Sequence, residues 1–426
     1  MMGTNGVTSH LRVLRERSFR YLFLGQAASV IGDRLVFVAL ALFVTRRTGS
    51  PTDLGLVLAA ATAPLVLLLP FGGVWADRVA RHRIMVVTDL IRAALHAGLA
   101  ALILVGEVRI WEVVAIEACF GAAQAFFQPA YTGLVPQTVP EALIQEARAV
   151  TESMANLATL LGPALATLLV LGIGAGEAFA VDAATFVLSA ALLTRVNPRA
   201  RGRVPASARV LDDLRAGWRE VVSRRWVWVT IVTLAGAMLC VDAQWFALAP
   251  SVAREHYGGV GVFGWIETVL GAGAVAGSLA GLAWRPRHPL RTGLLIALAV
   301  PLLCVVFALL APLVVVLVMA LGAGVGFSLF LIWWETALAH HVPPHALSRV
   351  SSYDWMGSLV LLPVGYLVAG PLASAFGART VLAAGGAVGL VLTLLALAPR
   401  ATRQLTGPGR AEQLAPQPSS SRAISA

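Results

Sequence analysis

Residues 54–75 read LGLVLAAATAPLVLLLPFGGVW, twenty-two consecutive positions without a charge, and residues 76–83 that follow read ADRVARHR, with three arginines in eight positions. As an α-helix the first stretch is about 33 Å long, enough to cross the ~30 Å hydrocarbon core of a bilayer. The arginines behind it mark the side on which that crossing ends. Working outward in both directions, the pattern of a long apolar run and a short polar break recurs along almost the whole chain. The runs extend from Phe19–Val44 and Leu54–Trp75 at one end to Trp355–Leu372 and Val381–Leu397 at the other, twelve in all. Only 13% of the 426 residues are charged and 58% are apolar. A water-soluble domain carries roughly 25% charged residues, so this composition excludes one.

Arginine placement sets the orientation. All 32 basic residues are Arg, and if both ends lie on one side, 25 arginines fall on that side and 5 on the other, with Arg34 and Arg92 inside helices. That asymmetry fits an even number of spans with both termini in the cytoplasm of a bacterial inner membrane. The net charge of +10 has no basic stripe or aromatic platform that would suit nucleic acid. The first apolar run is too long for the core of a cleavable signal peptide. Cys119, Cys240 and Cys304 lie far apart within apolar runs and read as small core residues.

The hydrophilic stretch Thr194–Arg225 divides the runs into two sets of six. The expected organisation is an N-terminal segment (1–18), a six-helix bundle (19–193), a linker (194–226), a second six-helix bundle (227–398) and a disordered tail (399–426). Within the linker, Leu211, Leu214, Trp218 and Val221 have the spacing of an amphipathic helix lying on the inner leaflet. The bundles also echo each other. Shifts of 202 to 209 residues bring Gly73 onto Gly281, Asp33 onto Asp242 and Glu152 onto Asp354. The fold class is therefore an all-α membrane protein of twelve helices in two six-helix pseudo-repeats, with the site expected at the interface of the halves.

Gly73, Asp77, Arg78, Arg81 and Arg83 then acquire a meaning. Together they resemble the loop motif of the major facilitator superfamily, with Ala80 where that family usually has glycine and His82 within the basic pair. Gly162-Pro163 is similar to the antiporter motif of its exporter branches. Gly25-Gln26, Gly32-Asp33, Asp89 with Arg92, residues 127–130 and residues 182–186 resemble the drug and siderophore exporters, the macrolide-efflux-like and enterobactin-exporter-like proton antiporters. The resemblance implies a secondary transporter that exports a small amphipathic molecule in exchange for protons, by alternating access. Its partners would be a small-molecule substrate, protons and membrane lipids, with no cofactor and a monomeric state. It also implies that Asp77 and Arg78 brace the halves when one side closes. Many drug exporters of this family carry an arginine where Glu117 stands, so the resemblance further implies that Arg34 supplies the missing charge as an Arg34–Glu117 pair. A lipid or metabolite carrier coupled to another ion, or a transporter-like sensor, are the alternatives.

Ionisable groups inside spans are the remaining signal, because each costs several kcal/mol unless it meets a partner or water. Asp33, Asp242, Glu117 and Glu267 are the proton-coupling candidates, and Arg34, Glu117, Asp89 and Arg92 the ion-pair candidates. Gln26, Trp245, Phe246, Trp333 and Glu335 are the cavity candidates, with Trp265 and Trp334 as further aromatics. Ser351 and Asp354 match a helix-starting capping box, so helix 11 is expected to begin there and face Arg78 and Arg81, with Glu152 and Arg285 or Arg287 as the weaker twin. No catalytic set emerges. His340, His341 and His345 lack a carboxylate or cysteine at zinc spacing, and a chain without Lys has no phosphate loop for ATP.

Overall fold

The computed structural model describes residues 12–199 and 218–406. It is all helical, and twelve helices are long and apolar enough to cross a membrane. They are α1 (Arg17–Thr48), α2 (Pro51–Arg78), α3 (Arg81–Val105), α4 (Ile110–Leu134), α5 (Ile144–Gly172) and α6 (Ala175–Leu193), then α7 (Arg225–His256), α8 (Gly261–Ala283), α9 (Pro289–Ala308), α10 (Leu313–His341), α11 (Pro344–Leu359 and Leu362–Phe376) and α12 (Ala378–Leu395). Exposed apolar side chains such as Leu67, Val105, Val314 and Val391 clothe the outside, where a bilayer offers acyl chains instead of water.

Local chemistry sets the turns. On the arginine-poor face α1 ends at Gly49 in the left-handed region (φ 66°). The Ser50 hydroxyl then accepts the Asp53 N–H at 3.2 Å to start α2, with Pro51 in the first turn. The Glu112 carboxylate accepts the Arg109 N–H at 2.8 Å at the start of α4. Three helices of the second half are interrupted: α7 by a π-turn at Met238–Asp242, α9 at Leu298 and α11 at residues 360–361. Pro301 and Pro363 follow the last two breaks, and a proline cannot donate to the carbonyl four residues back.

The capping expectation at Ser351 is corrected by this geometry. Helix α11 begins seven residues earlier, at Pro344, and Ser351 and Asp354 sit inside it. Pro344, a first-turn proline, was the better start signal. The expected tail is partly ordered, since Arg400–Gln404 form a short helix with Thr402 buried; residues 407–426 lie outside the described part. Of the linker, residues 211–217 also lie outside it, while residues 218–223 are helical and Val221 is buried in the second half's core. Cys304 is buried, but Cys119 is exposed on the outer face of α4.

Each half is a six-helix bundle, with α2 packed on α4, α3 on α6 and α1 on α5 and α6, and in the second half α8 and α9 packed on α10. Between the halves α2 meets the second segment of α11 and α5 meets α8. A Cβ at Gly55 would collide with the Tyr366 carbonyl and one at Gly370 with Thr52, so only glycine permits that approach. The contacts that join the halves lie toward the arginine-poor face. Phe37 meets Phe246 edge-on at 4.8 Å, Leu171 meets Gly261, and Arg254 Nη1 donates to the Thr45 carbonyl at 3.1 Å. Among the described residues, the hydrogen bond and the ring contact that join the halves both lie on this face.

Arg254 bridges the halves by closing on the carbonyl end of α1. Arg254→Ala should therefore loosen the closed face by roughly 1 kcal/mol, a severalfold shift in population. Spin labels on the ends of α1 and α7 at this face check it: the variant should show a longer, broader distance distribution than the parent.

Candidate functional site

Successive turns of α3 carry Asp89, Arg92 and His96 on one face, all fully buried. A guanidinium cannot remain charged in an apolar bundle without partners, and Arg92 has several. It donates to Asp89 and, at 2.6 Å, to Gln124 Oε1. It lies 3.7 Å from Asp33 on α1, whose side chain keeps 27% of its surface exposed. The rings of Phe127 and Phe186 lie 4.0 and 4.3 Å from its central carbon, so their electron-rich faces add to the stabilisation. The second Asp89 oxygen accepts from Ser189 Oγ at 2.7 Å, and that hydroxyl accepts from Gln26 Nε2 at 3.0 Å.

One turn further on, His96 Nδ1 lies 2.5 Å from Asp182 on α6, and Nε2 lies 3.6 Å from Glu117 on α4. Phe120 stacks on the imidazole at 4.2 Å. Around Arg92 and His96 stand four carboxylates, Asp33, Asp89, Glu117 and Asp182. Asp33 Oδ1, His96 Nε2, Glu117 Oε1 and Asp182 Oδ1 are buried without hydrogen-bond partners.

The second half is built differently. Asp242 closes the π-turn of α7, a distortion often found where a helix must present a functional group. Glu267 on α8 accepts the Trp245 indole N–H at 2.7 Å. Among the described residues neither carboxylate has a cation within ion-pair distance.

Several expected placements change. Arg34 and Glu117 do not pair. Arg34 is exposed, with its stem against Gly162, whereas Glu117 points into the bundle at His96. The two helices present these side chains in different directions, and the charge that meets Glu117 comes from α3. At Gly162 α1 and α5 approach closely, since a Cβ there would strike Arg34 itself; Pro163 beside it is buried. Trp245 and Trp333 do not line the space between the halves. Trp245 lies against Phe307 and Glu267, and Trp333 against Trp284 and Gly293, both inside the second bundle. Trp334 is buried too, donating its indole N–H to Asp354 at 2.9 Å, and Trp265 is exposed toward the arginine-poor face, where it lines a cavity of about 470 Å³ with Arg46 and Arg254. Gln26 is buried on Ser189, and Phe246 lies in the closed contact with Phe37.

Glu152 and Glu335 are exposed on opposite halves, within electrostatic reach of each other and, for Glu335, of Asp354. Burial holds the Asp354 carboxyl above its ordinary range, and the Trp334 N–H opposes that. Arg78 is exposed, and Arg81 donates to the Gly133 carbonyl at 2.9 Å within its own half. The expected gate residues Asp354 and Glu152 lie on α11 and α5, and Asp354 accepts from Trp334 of its own half. Gly73 has open space beside it, while its repeat partner Gly281 faces Ile332.

His96 was missing from the sequence-based set. Its signal was the 89–92–96 spacing, which places it on the face that Asp89 and Arg92 already marked. Chemically the arrangement can hold and exchange protons and attract a cation. No group of three or more His, Cys, Asp or Glu among the described residues is disposed to hold a metal.

Two six-helix bundles around a passage closed at one face, with buried charges at its wall, define a membrane carrier of the alternating-access kind. Residues 22–360 match the Major Facilitator Superfamily, and the chain belongs to that family. It is 27% identical over 361 residues to the multidrug efflux pump Tap of Mycolicibacterium fortuitum, covering 81% of this chain and 87% of that one. It is 29% identical over 151 residues to macrolide efflux protein A of Streptococcus pyogenes, covering 35% and 37% of the two chains. Its fold superposes on an inward-facing, unoccupied bacterial homolog of the lysosomal transporter Spinster with TM-score 0.66 at 17% identity, over 91% of this chain and 96% of that one. The D-xylose-proton symporter gives 0.67 at 14% identity, over 92% and 99%.

Removing Arg92 strands Asp33 and Asp89 in the bundle. Arg92→Leu should cost about 3–5 kcal/mol, and Arg92→Leu with Asp89→Leu should recover part of it. Arg34→Ala and Glu117→Ala should instead be additive. Thermal unfolding of the purified variants in detergent reads both comparisons.

Proposed function

We propose that this carrier exports a small amphipathic molecule bearing a positive charge, in exchange for protons, from the cytoplasm of a bacterial cell. The arginine-rich face is then cytoplasmic, and the structure is the state open to the cytoplasm. The observation that carries the reading is Asp33, a carboxylate near the middle of α1 with 27% of its side chain exposed, which shares the buried Arg92 with Asp89. A cation arriving from the passage competes with Arg92 for Asp33, and so does a proton. Glu152 and Glu335 make the cytoplasmic approach acidic, which raises the local concentration of a cationic substrate. Drug efflux by the relatives Tap and macrolide efflux protein A supports the outward direction.

In the second half Asp242 and Glu267 are the matching proton acceptors, held by neutral neighbours. Closure of the cytoplasmic side brings the loop with Asp77, Arg78 and Arg81 toward Asp354, and the loop with Arg285 and Arg287 toward Glu152. These contacts are exposed and each contributes only about 0–1 kcal/mol, enough to shift a balanced equilibrium severalfold.

Proteoliposomes loaded with ethidium and given an imposed pH gradient test the proposal. Asp33→Asn and Asp242→Asn should each lower gradient-driven transport about tenfold or more while the protein stays folded. Transport in both variants with the parent's rate and pH dependence rules out these carboxylates as the coupling groups. Gradient-independent transport by the parent would instead favour coupling to another ion.

A further inference from the structure

Beyond the accessible carboxylates, the first half contains a buried titratable cluster whose edge, the Glu117 side chain, keeps 4% of its surface exposed. His96 sits at its centre, with Nδ1 2.5 Å from Asp182 Oδ2 and Nε2 3.6 Å from Glu117 Oε1. Phe120 stacks flat against the ring at 4.2 Å, Phe179 meets it edge-on at 5.4 Å, and Phe186 closes the third side at 6.0 Å. All three polar side chains are buried.

The Asp182 carboxylate accepts the Nδ1–H, which fixes the tautomer and leaves Nε2 directed at Glu117. Both Nε2 and Glu117 Oε1 lack any other partner. With no proton between them, two lone pairs and an uncompensated carboxylate would face each other inside an aromatic cage, which costs several kcal/mol. One proton resolves this, either as imidazolium and carboxylate or as imidazole and carboxylic acid. The two descriptions have the same composition and belong to one coupled pair.

The charged groups around the pair come from every packed element: Asp182 from α6, Glu117 from α4, Arg92 and Asp89 from α3, and Asp33 from α1. Arg92 is the only permanent cation among them. A second link reaches the passage through the backbone of α1. Gly32 lies so close to Asp182 and Thr185 that a Cβ would collide with both side chains, and the next residue is Asp33, which lies 3.7 Å from Arg92, one turn of α3 from His96.

We infer that His96 and Glu117 jointly hold one exchangeable proton in the first half, and that this proton weakens cation binding at Asp33 through their shared field. The inference rests on the proton-coupled reading above and names the residues that carry it out. When the pair is loaded, the network is one unit less negative and a cationic substrate at Asp33 is disfavoured. When the proton leaves to water, Asp33 regains its full attraction. Proton and cation then bind antagonistically and reciprocally, as antiport requires. The step moves a proton only, with no covalent bond to carbon made or broken.

Two variants test it. Glu117→Gln keeps a group that can donate to Nε2 while removing the second proton acceptor, and His96→Asn removes the imidazole. In detergent, the parent's ethidium affinity should fall as the medium goes from mildly alkaline to mildly acidic, with protons released on binding into weak buffer. Glu117→Gln should bind ethidium with that pH dependence flattened severalfold and with less proton release. The imidazole ¹⁵N signal lost in His96→Asn should, in the parent, move with pH in the same window. A folded Glu117→Gln with the parent's pH profile and proton release overturns the assignment. If His96→Asn does not fold, Glu117→Gln and the ¹⁵N signal of the parent still decide. Failure is distinguishable from failure of the broader reading: a parent that releases no protons on binding ethidium rejects proton coupling itself, whereas coupling that survives in Glu117→Gln rejects only this site.

Discussion

A guanidinium in the middle of an apolar bundle is the constraint around which the first half is arranged. Water is absent there, so every charge on Arg92 must be answered by protein. Asp89 and Gln124 answer it on α3 and α4, the rings of Phe127 and Phe186 cover its faces, and Asp33 reaches it from α1. Four of these partners come from three other helices, so their mutual positions are fixed by the need to meet one cation. Ser189 and Gln26 extend the same demand to α6 and back to α1. What looks like a polar defect in a membrane bundle is what sets the relative rotation of its helices.

The halves share a six-helix plan and differ in how they handle charge. Asp33 and Asp242 are brought together by the sequence shift, yet one lies beside a buried arginine and the other at a π-turn with no cation within ion-pair distance among the described residues. The first half keeps its carboxylates by pairing them. In the second, Glu267 has the neutral indole N–H of Trp245 as its partner. A paired carboxylate holds its charge until its partner is challenged. An unpaired one in an apolar setting responds to a proton directly. The two halves thus offer two different chemistries to the same passage.

The number of spans, their grouping into sixes, and the arginine-rich loops were legible in the sequence because they depend on hydropathy and charge, which need no knowledge of neighbours. Asp89 and Arg92 were legible too, since residues three apart on a helix meet without help from elsewhere. The direction in which a side chain points across helices was not. Arg34 and Glu117 have opposite charges and suitable depth, but the α1–α5 contact at Gly162 places Arg34 toward the open side and Glu117 turns to α3. Stacking surfaces make tryptophans candidates for a cavity as well as for core packing, and Trp245 and Trp333 fill the bundle, where their large apolar area is best buried. His96 was overlooked because a lone histidine in an apolar run is usually a packed core residue, and only its register with Asp89 and Arg92 argued otherwise. The false start at Ser351 has the same origin: a capping pattern is local, and here the helix was already under way.

Where the helices break follows from this division of charge. The six helices of the first half run without interruption, while three in the second are broken, at the π-turn of α7, at Leu298 and at residues 360–361. A network of buried ion pairs tolerates little displacement, because a shift of an ångström or two leaves a charge unanswered at a cost of several kcal/mol. A bundle held by apolar packing and neutral hydrogen bonds loses much less when a helix bends. The interruptions thus fall in the half whose buried carboxylates have neutral partners, and the continuous helices in the half that holds the buried arginine.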